Sequence, residues 1–579
     1  MGNIYCNPLN LEYKYQHYGK AAHREAADPT LILFKGTYYL FASMSAGFYY
    51  SEDLSRWKWH ENRNLELYHY APDVRQAGDW LIFCASDRKR STIWRTKDPF
   101  ADTYEKVSEP FAFWDPDTFV DDDGRVYFYW GCDSGRPIYG VELDSKTFLP
   151  IGDKKELIFG QPTEHGFERQ DFPGRETEKP TLGMKLLYKM MELSGRGKDA
   201  PFIEGAFMNK INGKYYLQYA APATEVPTYS DGVYIGATPL GPFTYQKHNP
   251  ISSKPGGFIT GAGHGSTIQD KYGNWWHTST MRISVNASFE RRVGLFPAGV
   301  DKDGILFCNQ NYADWPLMIP DGTFDPASVR PKWMLLSYKK TGTASSALDG
   351  HGTELALNED IRTCWCADGC RGEWYQLDLG NVYDVHAVQI NFADVDVPVL
   401  KKPKAERSGI QTNSRYIDSG RDLHTRWCLE GSRDGDAWFA VTDKRRADSD
   451  LAHDFLYFEE GISVRYLRLT AEELPYNKKF ALSGLRVFGA PQGEAPAAAE
   501  NIRAEYTDAT TAQLTWSAAQ NAVGYNIRYG IAPDKLYSSY LVYEDTTVLL
   551  TMLNKGQTCY YAVDSFGEGG ITEGTPRKL

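Results

Sequence analysis

One arrangement of polar and apolar positions returns five times between Gly36 and His277. A glycine at a turn is followed by a run of aromatic and β-branched residues. The copies are Gly36-Thr37-Tyr38-Tyr39-Leu40, Gly78-Asp79-Trp80-Leu81-Ile82, Gly124-Arg125-Val126-Tyr127-Phe128, Gly213-Lys214-Tyr215-Tyr216-Leu217 and Gly273-Asn274-Trp275-Trp276-His277. The glycine supplies a positive φ in a hairpin turn, and the strand after it alternates faces. Five similar hairpins predict five similar sheets, and repeated sheets of this size pack radially. The expectation is an all-β chain that begins with a five-bladed β-propeller over residues 1–320.

The longest interval between copies, Gly124 to Gly213, contains an extra segment from Phe159 to Gly195. Within it, Glu178 to Leu193 has helical spacing, with Leu182, Leu186, Leu187, Met190 and Met191 on one side. Insertions of this kind decorate one face of a propeller, either shaping a pocket there or simply packing on it.

The repeat stops around Met318-Ile319-Pro320-Asp321-Gly322. Short alternating strands follow at Trp374 to Gly380, Val464 to Leu469 and Leu482 to Gly489, which predicts a β-sandwich over residues 321–490. The long basic loop Val397 to Thr425 reads as disordered, with reach toward the active-site face as the alternative. Ala490 to Glu500 reads as a linker, and residues 491–579 add a small β unit with Trp516 as its core residue.

Composition narrows the function. The chain has 579 residues, too many for one core, with 42% hydrophobic and 24% charged residues, as in soluble globular proteins. A formal net charge of −12 argues against nucleic acid or an anionic membrane as partner. No apolar run is long enough to span a bilayer, and the start MGNIYCNPLN has no signal-peptide pattern. The 38 Tyr and 15 Trp suit both sheet cores and stacking on sugar rings. Cys364, Cys366 and Cys370 cluster without a fourth ligand at zinc-finger spacing, so they read as structural thiols with one disulfide among them as the alternative.

Three carboxylates stand at matching places in the repeat. Asp28 precedes the first hairpin glycine by eight residues, and Asp115 and Glu204 precede theirs by nine. Each would lie on an inner strand facing a common axis, with apolar surroundings that disfavour the charged form of Glu204. A phosphate-loop reading of Gly261-Ala262-Gly263-His264-Gly265 is discarded, because no helix start follows it.

The motifs Ala27-Asp28-Pro29, Ala71-Pro72-Asp73, Asp115-Pro116-Asp117-Thr118-Phe119, Glu204-Gly205-Ala206 and Gly263-His264-Gly265-Ser266, in that order, resemble glycoside hydrolase family 43 over about residues 5 to 318. The resemblance implies a five-bladed propeller and hydrolysis with inversion. Asp28 is then the general base, Glu204 the general acid and Asp115 the modulator of the acid's pKa. His264 is the axial histidine, beside which a structural calcium or water cluster is expected, and no cofactor is required for the chemistry. Arg291 falls where a substrate-binding arginine is usual. Trp114, Phe48 and the Tyr68 to Tyr70 loop are expected to shape the sugar pocket, and His23 and Arg24 either touch substrate or pack. The middle module resembles a discoidin-type domain that binds glycan or buttresses the propeller, and the last module resembles a fibronectin type III domain. The implied enzyme is a monomer in the periplasm or outside the cell. It releases a terminal sugar from an oligosaccharide or polysaccharide, α-L-arabinofuranose first, with β-xylose and β-galactofuranose as alternatives. A glycan-binding propeller without activity is the reading from another class.

Overall fold

A computed structural model describes residues 3–17, 21–65, 70–86, 91–170, 189–190, 201–401, 410–412, 415–419 and 422–579. The expected helix over Glu178 to Leu193 lies outside the described residues apart from Lys189 and Met190, and so does Tyr68.

The five sequence repeats form five antiparallel sheets. Their innermost strands are Ala27–Phe34, Asp73–Ala77, Asp117–Val120, Phe202–Ile211 and Thr260–Gln269. Each is joined by a tight turn to the strand after its glycine, and all five hairpin glycines have positive φ, between 59° and 85°. No side chain crowds these turns, so the requirement is conformational. Each sheet continues outward by neighbouring hairpins, and the fourth gains an extra strand, Asp133–Ser134, against Phe202 and Ile203. The five inner strands touch one another in a closed circuit, first to second to third to fourth to fifth and back to the first. This is the predicted propeller. Strand Asn3–Tyr5 pairs with Leu317–Ile319, and Asn7 binds the backbone of Leu295 and Ala313, so both ends of the propeller are tied to its last sheet.

Apolar faces pack between adjacent sheets. Tyr39, Phe41, Phe48, Val74, Leu81 and Phe83 form one such layer between the first and second sheets. Aromatic and β-branched residues fill these wedge-shaped gaps with few rotatable bonds.

Beyond Ile319 the chain builds an eight-stranded antiparallel sheet system. Its spine is two long strands, Trp374–Phe392 and His453–Glu473, closed over a core that includes Trp365, Tyr375, Trp427 and Phe480. Residues 500–578 form a smaller sandwich of two sheets over Leu514, Trp516, Ile527 and Val563. All nine cysteines are free thiols, so the disulfide alternative for the Cys364 cluster is not met.

The modules are held by buried charge. Arg486 of the second module pairs with Glu359 at 2.8 Å and donates to the carbonyl of Asp314 in the propeller. Arg24 of the propeller lies 2.6 Å from Asp450 and 3.4 Å from Asp394. The third module packs on both: Tyr537 stacks on Phe307 at 4.0 Å, Lys535 pairs with Asp301 at 2.6 Å, and Tyr543 donates to Glu359. The basic loop expected to be disordered is corrected in its described parts. Ile410–Thr412 and Arg415–Asp418 form strands that extend the sheet of Lys14–His17 and His23–Glu25, because Arg415–Asp418 supplies the backbone partners of Lys14–His17. Ile417 then packs with Met44 and Ala46, next to Tyr70.

Removing one partner of a buried ion pair leaves an uncompensated charge. Glu359→Ala should therefore destabilise the protein by about 3–5 kcal/mol. Thermal unfolding should show a lowered midpoint, and a midpoint equal to that of the unchanged protein would refute the role given to this pair.

Candidate active site

Each innermost strand has a residue in the left-handed region near its N-terminal end, just before the strand in the second and third sheets and within it in the others. These are Asp28 (φ 50°), Ala71 (49°), Asp115 (52°), Gly205 (63°) and His264 (52°). In the first, fourth and fifth sheets the ladder shows a bulge here, with Ala27, Glu204 and Gly263 on one side of it and Thr30, Phe207 and Ser266 on the other. The bulge turns the strand start toward the axis and aims one side chain into it. Glu204 stands one position earlier than Asp28 and Asp115 in this frame, so the equal-offset expectation is corrected by one residue. The position equivalent to Asp28 in the fourth sheet is Gly205. A Cβ there would lie 2.8 Å from Cγ of His264, so glycine leaves room for the imidazole.

A second regularity fixes these starts. Asp28 N–H donates to Thr280 Oγ1, Ala71 N–H to Ser43 Oγ and Asp115 N–H to Ser86 Oγ, each at 2.8 Å and each across to the preceding sheet. All three hydroxyls also reach the carboxylates, with Ser43 Oγ 2.6 Å from Asp28 Oδ2, Ser86 Oγ 3.2 Å from Asp115 Oδ1 and Thr280 Oγ1 3.4 Å from Asp28 Oδ1.

Asp28, Asp115 and Glu204 are all buried, and the fold brings them around one imidazole. His264 Nδ1 lies 3.5 Å from Asp28 Oδ1 and 3.8 Å from Asp115 Oδ2. Its backbone N–H and that of Gly265 donate to Asp231, whose Oδ2 is 2.9 Å from His277 Nε2. Burial works against a charge on His264, but Asp28, Asp115, Glu204 and Asp231 together outweigh it and raise its pKa.

Asp28 accepts from Arg291 Nη1 at 3.0 Å as well as from Ser43. Asp115 and Glu204 differ. Burial, with like charge from Glu204 and Asp28, pushes Asp115 up to about 8. Glu204 is raised by burial and by Asp28, opposed by His264 and by bonds from Tyr229 and Cys132. Oxygens of Asp115 and Glu204 lie within 4.8 Å of each other and of Cys132 Sγ. Burial and neighbouring negative charge thus favour the protonated form of both groups over that of an exposed carboxyl.

The other predicted residues are placed as follows. Arg291 is buried, and its Nε and Nη2 bind Glu25 Oε1 at 3.0 and 2.6 Å while Nη1 holds Asp28. It thus joins Asp28 to Glu25, and its guanidinium is engaged by two carboxylates in this structure. Trp114 is half-buried immediately before Asp115, and its carbonyl accepts from Gly131. His23 is buried in the strand His23–Glu25, with Nε2 3.9 Å from Glu25 and, among the described residues, no hydrogen bond to either ring nitrogen. Arg24, on the opposite face of that strand, is engaged by Asp394 and Asp450. Phe48 does not reach the site. It is fully buried among Tyr39, Phe41, His60 and Phe100, because its strand position faces the neighbouring sheet.

Sequence reasoning missed Ser43, Ser86, Cys132, Thr280, Tyr229 and Glu25. A signal existed for four of them. Ser43, Ser86, Cys132 and Thr280 each follow their hairpin glycine by seven or eight residues, where the second strand ends beside the start of the first. Tyr229 and Glu25 carry no such signature.

Residues 22–306 match the model for Glycosyl hydrolases family 43, so this stretch is a domain of that family. Among curated proteins, a β-xylosidase of Xylanibacter ruminicola is 29% identical over 166 residues, covering 26% of this chain and 45% of the relative. Xylosidase/arabinosidase 43A of Humicola insolens is 26% identical over 256 residues, covering 41% of this chain and 73% of the relative. The chain thus spans less than half the length of the first of these. A solved structure, Bacteroides ovatus Xyloglucan PUL GH43B, aligns over 100% of both chains with 15% identity and a TM-score of 0.42. Another, described as a glycoside hydrolase, covers 80% of this chain and 97% of its own with 16% identity and a TM-score of 0.45.

Gly205→Ala places a methyl group against His264 in a left-handed backbone, which costs roughly 1–2 kcal/mol before any contact is counted. The variant should melt earlier and should broaden or shift the His264 imidazole resonances in NMR. Unchanged resonances would mean that Gly205 does not shape the site.

Proposed function

We propose that the chain is an inverting glycoside hydrolase that removes a terminal α-L-arabinofuranose or β-xylose from a polysaccharide or glycan side chain. The observation that carries this is the division of three buried carboxylates into two environments. Asp28 accepts bonds from a guanidinium and a hydroxyl, while Asp115 and Glu204 are raised together and keep a proton. Inversion needs such a division: one carboxylate to take a proton from water, and one carboxylic acid to protonate the departing oxygen on the opposite side of the ring.

In this reading Asp28 takes a proton from a water molecule as the oxygen of that water attacks the anomeric carbon. Glu204 gives its proton to the glycosidic oxygen as the bond to carbon breaks. Asp115, beside Glu204, raises its proton affinity by like charge, and Arg291 with Ser43 fixes the direction of Asp28. His264, with its raised pKa, lies between Asp28 and Asp115 and offsets part of the negative charge gathered there.

The calcium expected beside His264 has no part in these steps. Calcium favours about six to eight oxygen ligands. Among the described residues, His264 Nδ1 faces one oxygen each of Asp28 and Asp115, and the former is already bonded to Arg291. That set does not fit the ion.

The sugar preference rests on the two curated relatives named for xylosidase and arabinosidase activity, with β-galactofuranose as the further candidate. The half-buried Trp114 next to Asp115 offers a ring for stacking at the edge of the site. The second and third modules, on the discoidin and fibronectin resemblances, act here as supports for the propeller, consistent with their buried ionic contacts.

Turnover of 4-nitrophenyl arabinofuranoside, xyloside and galactofuranoside tests the reading. Hydrolysis of at least one is expected, and failure on all of them and on natural oligosaccharides would leave a glycan-binding propeller. Proton NMR of the first-formed sugar should show the inverted anomer; a retained one removes Asp28 as base. Glu204→Gln should lower kcat by about 10²–10⁴-fold on substrates with poor leaving groups.

The pH profile of kcat/KM gives a separate check. Its alkaline limb is the loss of the proton held by Asp115 and Glu204, whose pKa values are raised. Asp115→Asn removes a negative charge from beside Glu204, so Glu204 loses its proton at lower pH. The alkaline limb should move to lower pH, and a limb that stays in place or moves up would contradict the role of Asp115.

A further inference from the structure

Cys132 has no role in the hydrolysis proposed above, yet its thiol lies in the middle of the acid pair. Sγ donates to Glu204 Oε2 at 3.2 Å. One ligand atom each from Asp115, Cys132 and Glu204 lies within 4.8 Å of the others. A thiol has a single hydrogen, and this one is directed to Glu204. Asp115 Oδ1 is served by Ser86, but among the described residues Asp115 Oδ2 has no hydrogen-bond donor although the residue is only 3% exposed. His264 Nδ1 approaches that oxygen only to 3.8 Å, beyond hydrogen-bond range, so a buried carboxylate oxygen beside a thiol and a second carboxylate keeps a lone pair free to bind a cation.

We propose that Asp115, Cys132 and Glu204 form a binding site for a thiophilic divalent cation of the zinc and cadmium class, and that occupancy of this site inhibits the enzyme. The proposal rests on the hydrolase reading for its inhibitory part only. The site stands on geometry. Zinc holds thiolate sulfur at about 2.3 Å and carboxylate oxygen at about 2.0–2.2 Å in a tetrahedron, so neighbouring ligand atoms sit about 3.3–3.7 Å apart. Cys132 Sγ already stands 3.2 Å from Glu204 Oε2, and with all three atoms within 4.8 Å of one another a contraction of at most about 1.5 Å reaches that spacing. Three protein ligands leave a fourth position for water or a substrate oxygen. The sulfur selects against magnesium and calcium, which prefer oxygen-only sets.

The chemistry of inhibition is direct. As the sulfur–metal bond forms, the thiol proton leaves to solvent, and the proton held by the carboxyl pair is displaced with it. Glu204 then has no proton to give to a leaving oxygen. Asp28, Arg291 and Ser43 are not ligands, so the water-activating side of the site stays intact while the protonating side is blocked. The consequence is a metal effect on the departure of the leaving group: substrates that need protonation suffer more than activated aryl glycosides.

Cadmium titrated into the intact, metal-free protein provides the test, because a thiolate–cadmium bond produces a charge-transfer absorption in the ultraviolet that does not depend on turnover. The unchanged protein should develop a band saturating at one equivalent more than Cys132→Ser or Cys132→Val. Two variants are used so that a misfolded one, identified by its circular dichroism, can be replaced by the other. Asp115→Asn should weaken the band, whereas Cys428→Ser, at a thiol in the second module, should keep it. In parallel, zinc should slow hydrolysis of a natural oligosaccharide by the unchanged protein, with full recovery on adding a chelator. Neither Cys132 variant should be slowed by zinc relative to its own rate without metal. Identical cadmium bands in the unchanged protein and both Cys132 variants would overturn the site. A band lost in the variants, with hydrolysis unaffected by zinc in the unchanged protein, would overturn the inhibitory role while leaving the site. If no glycoside is hydrolysed at all, the absorption titration still decides whether the site exists.

Discussion

The innermost strand of a propeller sheet is an edge strand that cannot be left with bare backbone amides, because it is buried at the axis of the ring. Each N–H there needs an acceptor, and the preceding sheet supplies it from a side chain. Thr280, Ser43 and Ser86 accept from the strand starts at Asp28, Ala71 and Asp115. One step further in, Ser266, Asp73 and Asp117 accept from Leu31, Thr118 and Met208 at 2.7–2.9 Å. These bonds join sheet to sheet around the circuit. They also explain why so many carboxylates gather where desolvation is costly: several of them replace the missing strand neighbour.

The candidate site is an outgrowth of the same constraint. A left-handed residue near the start of each inner strand, with a bulge beside it in the first, fourth and fifth sheets, turns the chain toward the axis. In different sheets that residue is an acid, an alanine, a glycine or a histidine. Like-charge crowding then does the chemical sorting. Arg291 and Ser43 hold Asp28, while Asp115 and Glu204 have no such cation of their own beyond the shared His264. Their raised pKa values follow from burial first, with like charge from Glu204 and Asp28 acting on Asp115 and from Asp28 acting on Glu204. On the same inner strands, Arg75 bridges Asp73 and Asp117 and lies 3.6 Å over the ring of Phe207, linking the second, third and fourth sheets.

Outside the ring, the other modules act on the site through the short sheet of Lys14–His17 and His23–Glu25. One face of its edge, at Glu25, grips Arg291 and through it Asp28. The opposite face, at Arg24, is gripped by Asp394 and Asp450 of the second module. The strand Arg415–Asp418 completes that sheet from the second module. The position of Asp28 is thereby tied to a module that contributes no carboxylate to the trio around His264.

How much of this was legible follows from the range of each cause. The hairpins were legible because a positive-φ glycine and a period-2 strand are properties of a few consecutive residues. The trio was legible because its members precede those hairpins at nearly constant spacing. Phe48 misled because an aromatic residue in a strand looks the same whether it lines a pocket or fills the gap between two sheets, and only packing against Phe100 and His60 separates the two. Arg291 was found by position but not by role, since its partner Glu25 is 266 residues away. By itself, then, the sequence determined the β repeats, the turns and which residue types stand at the axis. The tertiary structure alone decided which carboxylate is held by a cation and which keeps a proton. That outcome is set by burial and by neighbours that meet only when the ring closes and the second module docks on it.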